Sequence, residues 1–191
     1  MPEECEPESD IELLRRYREG DSFARERVVG RLLPLVSKLA SRLTCWHEES
    51  QDIVQEVFLA MQKSAESFRG NARLETWATS ITLNCCRQWT RLQQQKRRVH
   101  ARLRRDGTTQ DESARRAEQD LVVQEELRMA LAGLSEDQRE LIVLRYFEAL
   151  SVDRIAEHLG VRKNVVEVRL VRARKRLQKI LNARGIYGVE V

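Results

Sequence analysis

Gly160 limits what this chain can fold into more than any other single residue, because of what stands on either side of it. Before it, residues 151–159 read SVDRIAEHL, with Ser151 placed to cap a helix and Ile155, Ala156 and Leu159 recurring on one side. After it, residues 161–180 read VRKNVVEVRLVRARKRLQKI. At about 100° per residue, Val166, Leu170, Ala173 and Leu177 of that segment fall on one packing stripe. Glycine takes positive φ without steric cost, so two amphipathic segments joined at Gly160 predict a tight corner between helices, with Val161 plugging it. A further helix opens at Ser135, where Gln138 completes capping-box spacing, and it draws on Leu141, Ile142, Leu144, Tyr146 and Phe147 for its apolar side.

The face of the last helix opposite its packing stripe carries Asn164, Val168, Val171, Arg172 and Lys175, with Arg162, Lys163, Glu167 and Arg169 along its start and flanks. Between Val161 and Ile180 stand eight Lys or Arg and one acid, a density that suits phosphate neutralisation. A basic helix directly after a glycine-cornered partner has the form of a helix-turn-helix that lies in the major groove of DNA. On that face Val168 and Val171 are positioned to meet a thymine methyl group.

Composition narrows the rest. The 191 residues suffice for one ordinary domain or two small ones, and 41% hydrophobic against 34% charged residues favours small helical cores. Eight glycines and three prolines, with long stretches free of either, point to an all-α chain. No apolar run approaches the length that spans a bilayer, and the start MPEECEPESD is acidic where a signal peptide is basic, so a cytoplasmic protein without membrane insertion is expected. The cysteines at 5, 45, 85 and 86 lack CxxC spacing and read as reduced thiols; no metal site and no cofactor is expected, Cys45 with His47 being only a weak metal signal.

Charge is distributed unevenly around a net value of +4. Residues 69–105 hold ten Lys or Arg against one acid, Glu75, whereas residues 106–126 hold seven acids and two arginines. That reversal, with Gly107, Thr108, Thr109 and Ser113 and little apolar content, reads as a flexible linker over 99–121 between an N-terminal domain, 9–98, and a C-terminal one, 122–182.

The N-terminal domain reads as a bundle of four helices near 9–19, 22–45, 48–66 and 72–98. Gly20 and Gly70 punctuate it, Asp21 and Thr76 supply caps or first-turn residues, and Pro34 is placed to kink or divide the second helix. In the third helix Ile53, Val57 and Ala60 or Met61 form the packing stripe, while Glu48, Glu49, Asp52 and Glu56 make an acidic face unsuited to DNA. The fourth helix is assigned a packing stripe of Leu74, Trp77, Ile81, Cys85 and Leu92. Its outward side is then Thr79, Leu83, Cys86, Arg87, Thr90 and Gln94, with Asn84 and Arg91 beside them, a set that suits backbone and base contacts. Just before it, residues 68–73 (FRGNAR) form a loop with Arg69, Asn71 and Arg73 that could hold an unstacked base.

These segments carry a resemblance. DIVQEVFLAMQKSAESFRG followed by ETWATSITLNCCRQW is similar to region two of a bacterial RNA polymerase sigma factor, and residues 134–181 are similar to region four. The order and the linker resemble the extracytoplasmic-function group, with two domains and no third between them. The resemblance implies that Asp52, Gln55, Glu56 and Phe58 contact core RNA polymerase at its clamp, and that the flap is contacted as well. It implies that Arg69, Asn71, Arg73, Asn84, Arg87 and Arg91 serve the opened promoter element. It implies that Arg162, Lys163, Asn164, Glu167, Val168, Val171, Arg172 and Lys175 read the element farther upstream, and it admits an anti-sigma factor as a partner. Where related sequences place a small hydroxyl residue, a Thr and a Lys, this chain has Arg162, Val165 and Glu167, so the resemblance does not fix which upstream sequence it reads.

Three other classes were weighed. A helix-turn-helix regulator acting without polymerase docking would need a ligand or receiver domain, and the N-terminal segment lacks the alternating strand and helix pattern of a receiver. A nucleic-acid enzyme would need clustered His, Cys or carboxylates near the basic surfaces, and none is present; catalysis of RNA synthesis would belong to the polymerase. A purely structural helical adaptor stays open on sequence alone, and a test of DNA binding separates it from the reading above.

Overall fold

The computed structural model describes residues 9–103 and 120–186, which are helical with no strand among them. The chain divides into two compact units, Met1–Gln95 and Lys96–Val191. Of the expected linker, residues 104–119 lie outside the described residues.

The first unit contains α1 (Asp10–Arg18), α2 (Ser22–Leu43), α3 (Ser50–Ser64) with a 3-10 turn at Ala65–Ser67, and α4 (Leu74–Leu103) as far as Gln95. Ser9 caps α1 by accepting from the Glu12 N–H at 3.2 Å. Asp21 caps α2, accepting from the N–H groups of Phe23 (2.8 Å) and Ala24 (3.1 Å) while also taking the Arg16 guanidinium at 2.6 Å. The Arg16 bond, foremost, and those backbone donors hold the Asp21 carboxyl below its usual range. Pro34 does not divide α2, which runs unbroken from Ser22 to Leu43. The helix stops where Cys45 and Trp46 both adopt φ of 55°, with the Trp46 N–H returned to Ser41 O at 2.7 Å. In α3 the stripe is Ile53, Val57 and Met61, all buried, with Ala60 only partly so.

The phase of α4 differs from the sequence reading. Its buried side is Leu74, Ala78, Thr79, Thr82, Leu83 and Cys86; Trp77, Ile81 and Cys85 are half-buried, and Leu92 is 50% exposed. Hydroxyl chemistry is the reason. Thr79 Oγ1 donates to Glu75 O and Thr82 Oγ1 to Ala78 O, each at 2.8 Å, so both threonines satisfy their polar atom within their own helix and can enter the core. Thr79, Leu83 and Cys86 are therefore packing residues, not outward ones. Thr76 sits in the first turn, two residues after the helix begins.

The second unit contains α5 (Asp120–Ala132), α6 (Glu136–Ile142) continued by a π turn at Val143–Phe147, α7 (Val152–Leu159) and α8 (Lys163–Ala183). The Ser135–Gln138 capping box forms, and Ser151 accepts from the Arg154 N–H at 3.2 Å. Val166, Leu170, Ala173 and Leu177 are buried as the stripe requires, together with Leu131, Leu141, Ile142, Leu144 and Ile155. The π turn alters one expectation. The Glu148 N–H bonds to Val143 O five residues back, which brings Val143 and Leu144 inward and leaves Tyr146 42% exposed.

Gly160 takes φ of 64° and ψ of 32° as the C-cap of α7, and the Val161 N–H returns to Ala156 O at 3.1 Å. An L side chain pays for that conformation, so Gly160→Ala should lower unfolding stability by about 1–2 kcal/mol, and Gly160→Asn by less. Denaturant titration followed by far-ultraviolet circular dichroism measures both; equal stability of the alanine variant and the parent would contradict this account of the corner.

Candidate nucleic-acid and protein interfaces

In the second unit, Arg162, Lys163, Asn164, Glu167, Val168, Val171, Arg172 and Lys175 are all exposed along α8, as the stripe arithmetic requires. Val168 and Val171 are 52% and 50% exposed and lie three residues apart on one face of α8. Arg162 occupies the N-cap position without a side-chain cap bond, and Lys163 pairs with Asp153 of α7 at 3.0 Å. Both members of that pair are exposed, so it contributes little and leaves Lys163 within reach of a phosphate.

In the first unit the charges sort onto separate stripes. On α3, Asp52, Gln55 and Glu56 are exposed. Leu59, which follows them at the i, i+3, i+4, i+7 spacing of one helical face, is 56% exposed. Phe58 is half-buried off that face, and its carbonyl accepts from the Tyr17 hydroxyl at 2.9 Å. Leu59 is the residue that reasoning from charge overlooked; the spacing from Asp52 was the signal that could have found it.

Glu49 leaves the acidic face altogether. Its Oε2 accepts from Trp89 Nε1 at 2.5 Å and from Gln93 Nε2 at 2.6 Å, tying the start of α3 to α4. His47 lies edge-on to Trp89 with ring centroids 5.0 Å apart, so this histidine is part of an aromatic contact. Among the described residues no group of His, Cys, Asp or Glu is arranged to hold a metal, and Cys45, Cys85 and Cys86 are free thiols. Burial, and secondarily the Glu56 charge, push the Cys85 thiol up, which keeps it protonated.

The corrected phase of α4 aligns Trp77, Ser80, Asn84, Arg87 and Arg91 on one stripe that begins beside the loop. Asn84 and Arg91 are exposed; Arg87 is half-buried and donates to Asn84 Oδ1 at 3.3 Å. Trp77 is half-buried, with its ring 5.4 Å from that of Phe68 and tilted by 59°. In the loop, Arg69, Asn71 and Arg73 are exposed, whereas Phe68 is 7% exposed and belongs to the core. Glu75, the lone acid of residues 69–105, pairs with Arg31 of α2 at 2.8 Å and faces Arg73 at 3.6 Å. Burial alone would raise the Glu75 carboxyl; its own backbone N–H and then Arg31 outweigh that and hold it low.

Comparison with known proteins follows the same division. The Sigma-70 region 2 family model matches residues 28–98, and the Sigma-70, region 4 model matches residues 124–177. The chain is 31% identical over 173 residues to the ECF RNA polymerase sigma factor SigM of Mycobacterium tuberculosis, covering 91% of this chain and 85% of that one. It is 30% identical over 179 residues to the ECF RNA polymerase sigma-E factor of Escherichia coli K12, covering 87% and 91%. In fold it is similar to the sigma factor RpoE of Bartonella quintana, solved in complex with the anti-sigma factor NepR, at a TM-score of 0.63 and 26% identity over 82% of this chain and 96% of that one. CnrH, solved with the cytosolic domain of CnrY, shares the fold at a TM-score of 0.65 and 24% identity, over 92% and 99%. The chain belongs to the ECF group of RNA polymerase sigma factors.

The Glu49 geometry separates two kinds of acidic residue on neighbouring positions. Glu49→Ala strands two donors that lie partly buried, and should cost the first unit about 1–3 kcal/mol. Denaturation followed by tryptophan emission measures the loss. A variant as stable as the parent would contradict this fastening role for Glu49.

Proposed function

We propose that this sigma factor docks on core RNA polymerase through the α3 stripe and engages promoter DNA through two basic surfaces, the loop with α4 and the outward face of α8. The observation that carries this reading is the separation of sign within one unit: an acidic stripe that ends in an exposed leucine on α3, and a basic, amide-bearing stripe on α4. A regulator that only bound DNA would have no use for the first of these. The chain performs no chemistry itself; it delivers the polymerase, which makes RNA. Cytoplasmic residence, with the nucleoid as its place when polymerase-bound, fits that role, and no described helix is long and apolar enough to cross a membrane.

In this reading Asp52, Gln55 and Glu56 face a basic surface of the polymerase clamp, Leu59 adds an apolar contact at the end of that stripe, and Phe58 shapes the helix from behind. The second unit contacts the flap. Arg69, Asn71 and Arg73 engage a base of the opened element, and Asn84, Arg87 and Arg91 follow the strand away from it. Arg162, Lys163, Arg172 and Lys175 neutralise phosphates, while Asn164, Glu167, Val168 and Val171 face base edges in the major groove. The functional division is 9–98 for melting and docking, 99–121 as tether, and 122–182 for upstream recognition. A tether holds the second surface at high effective concentration once the first is bound. The Bartonella quintana sigma factor RpoE, solved with the anti-sigma factor NepR, makes an anti-sigma factor a natural further partner of this chain.

Charge reversal at Asp52 and Glu56, both to Lys, should weaken binding to the core enzyme about tenfold at low salt, with the difference shrinking as salt screens it. Titration of labelled protein with core polymerase at several ionic strengths tests this, and unchanged affinity would sink the docking assignment. Promoter reading is tested separately by selecting binding sites with Val168→Ser holoenzyme. A changed preference at one base position is expected, since only a thymine methyl loses its contact; uniform weakening with no shift would assign the valines to a protein surface instead.

A further inference from the structure

The base-engaging loop is held from outside by elements that never touch its solvent face. Gly70 adopts φ of +71°, and a Cβ built there would lie 3.0 Å from Ile11 Cδ1, so the Ile11 side chain of α1 lies against the loop backbone. One guanidinium joins three helices at the loop's far end. Arg31 of α2 donates through Nη1 to Asp10 Oδ1 of α1 at 2.6 Å and through Nε to Glu75 Oε1 of α4 at 2.9 Å, and Glu75 in turn faces Arg73. Arginine's planar fork can serve two carboxylates in fixed directions, which lysine's single ammonium cannot.

We infer that Arg31 and Ile11 are positioning residues for promoter opening: they hold the 69–73 loop in its base-engaging shape, so that strand capture depends on α1 and α2 although neither reaches the base. The inference rests on the reading that this loop takes up an unstacked base. Arg73 is 83% exposed at its side chain, so only the direction of its backbone and the Glu75 contact fix where its guanidinium can go. Releasing Glu75 from Arg31 frees that carboxylate to pair fully with Arg73 and withdraw its charge from the nucleic acid. Loss of the Ile11 side chain removes the surface beneath Gly70.

The test uses the full chain bound to core polymerase at saturation, on a promoter selected for this chain, with permanganate reactivity of opened thymines as the readout. Four variants are compared with the parent: Arg31→Gln, Arg31→Lys, Ile11→Ala, and a loop triple of Arg69→Ala, Asn71→Ala and Arg73→Ala. The triple is also combined with Arg31→Gln. Arg31→Gln should reduce opening about 3- to 10-fold, Arg31→Lys should restore part of it, and Arg31→Gln should add little on top of the loop triple, as expected for residues acting through one unit. Core affinity should not move. Multiplying losses in the combined variant, or parental opening by Arg31→Gln beside a defective loop triple, would overturn the positioning role while leaving the loop reading intact. Parental opening by the loop triple would overturn both. Should Arg31→Gln fail to fold, Ile11→Ala, which removes a side chain that is 52% exposed, carries the same comparison.

Discussion

A hydroxyl that turns back on its own helix decides which way α4 faces. Thr82 is fully buried, and an unpaired hydroxyl there would cost more than its methyl group gains. Bonding to the Ala78 carbonyl removes that penalty, and Thr79 does the same one position along the core. With those two threonines accepted inside, Leu74, Ala78 and Cys86 can pack, and the stripe from Trp77 through Asn84 to Arg91 must face outward. A rotation of the helix by a single residue would turn Asn84 and Arg91 away from the solvent that they now face.

The same helix also keeps charges of opposite sign apart. Trp89 and Gln93, which hold Glu49, lie roughly half a turn around α4 from Asn84 and Arg91. One carboxylate is therefore consumed in fastening α3 to the back of the basic helix, and the remaining acids of α3 stay exposed for another macromolecule. Glu75, the acid nearest the loop, is likewise taken up by Arg31. Within the loop itself the exposed charges, Arg69 and Arg73, are both cationic.

Much of this was legible from residue order. The corner at Gly160, the caps at Ser135 and Ser151, and the buried stripe of α8 follow from local rules in which one residue type has one cheap conformation. The outward set of α8 came with them. The α4 stripe did not, because threonine counts as polar in a periodicity argument and its return bond to the i−4 carbonyl is invisible in sequence. Tyr146 failed for a related reason: a π turn inserts an extra residue into the rotation, and nothing in VLRYF announces it. Glu49 was grouped with its acidic neighbours because charge alone cannot reveal a partner 40 residues away. Leu59 was missed by the opposite error, a face read by charge when its last position is apolar. The ties from Arg31 to Asp10 and Glu75 span 21 and 44 residues and have no local signal at all.

All three tryptophans, at 46, 77 and 89, belong to the first unit, one at the end of α2 and two on α4. Each stands at a place where packing is specific: a left-handed turn, a tilted contact with Phe68, and a bond to Glu49. The molecule is thus optically one-sided. Indole emission reports the first unit alone, whereas backbone dichroism sums both units, so the two signals together separate the unfolding of one from that of the other in an unlabelled chain.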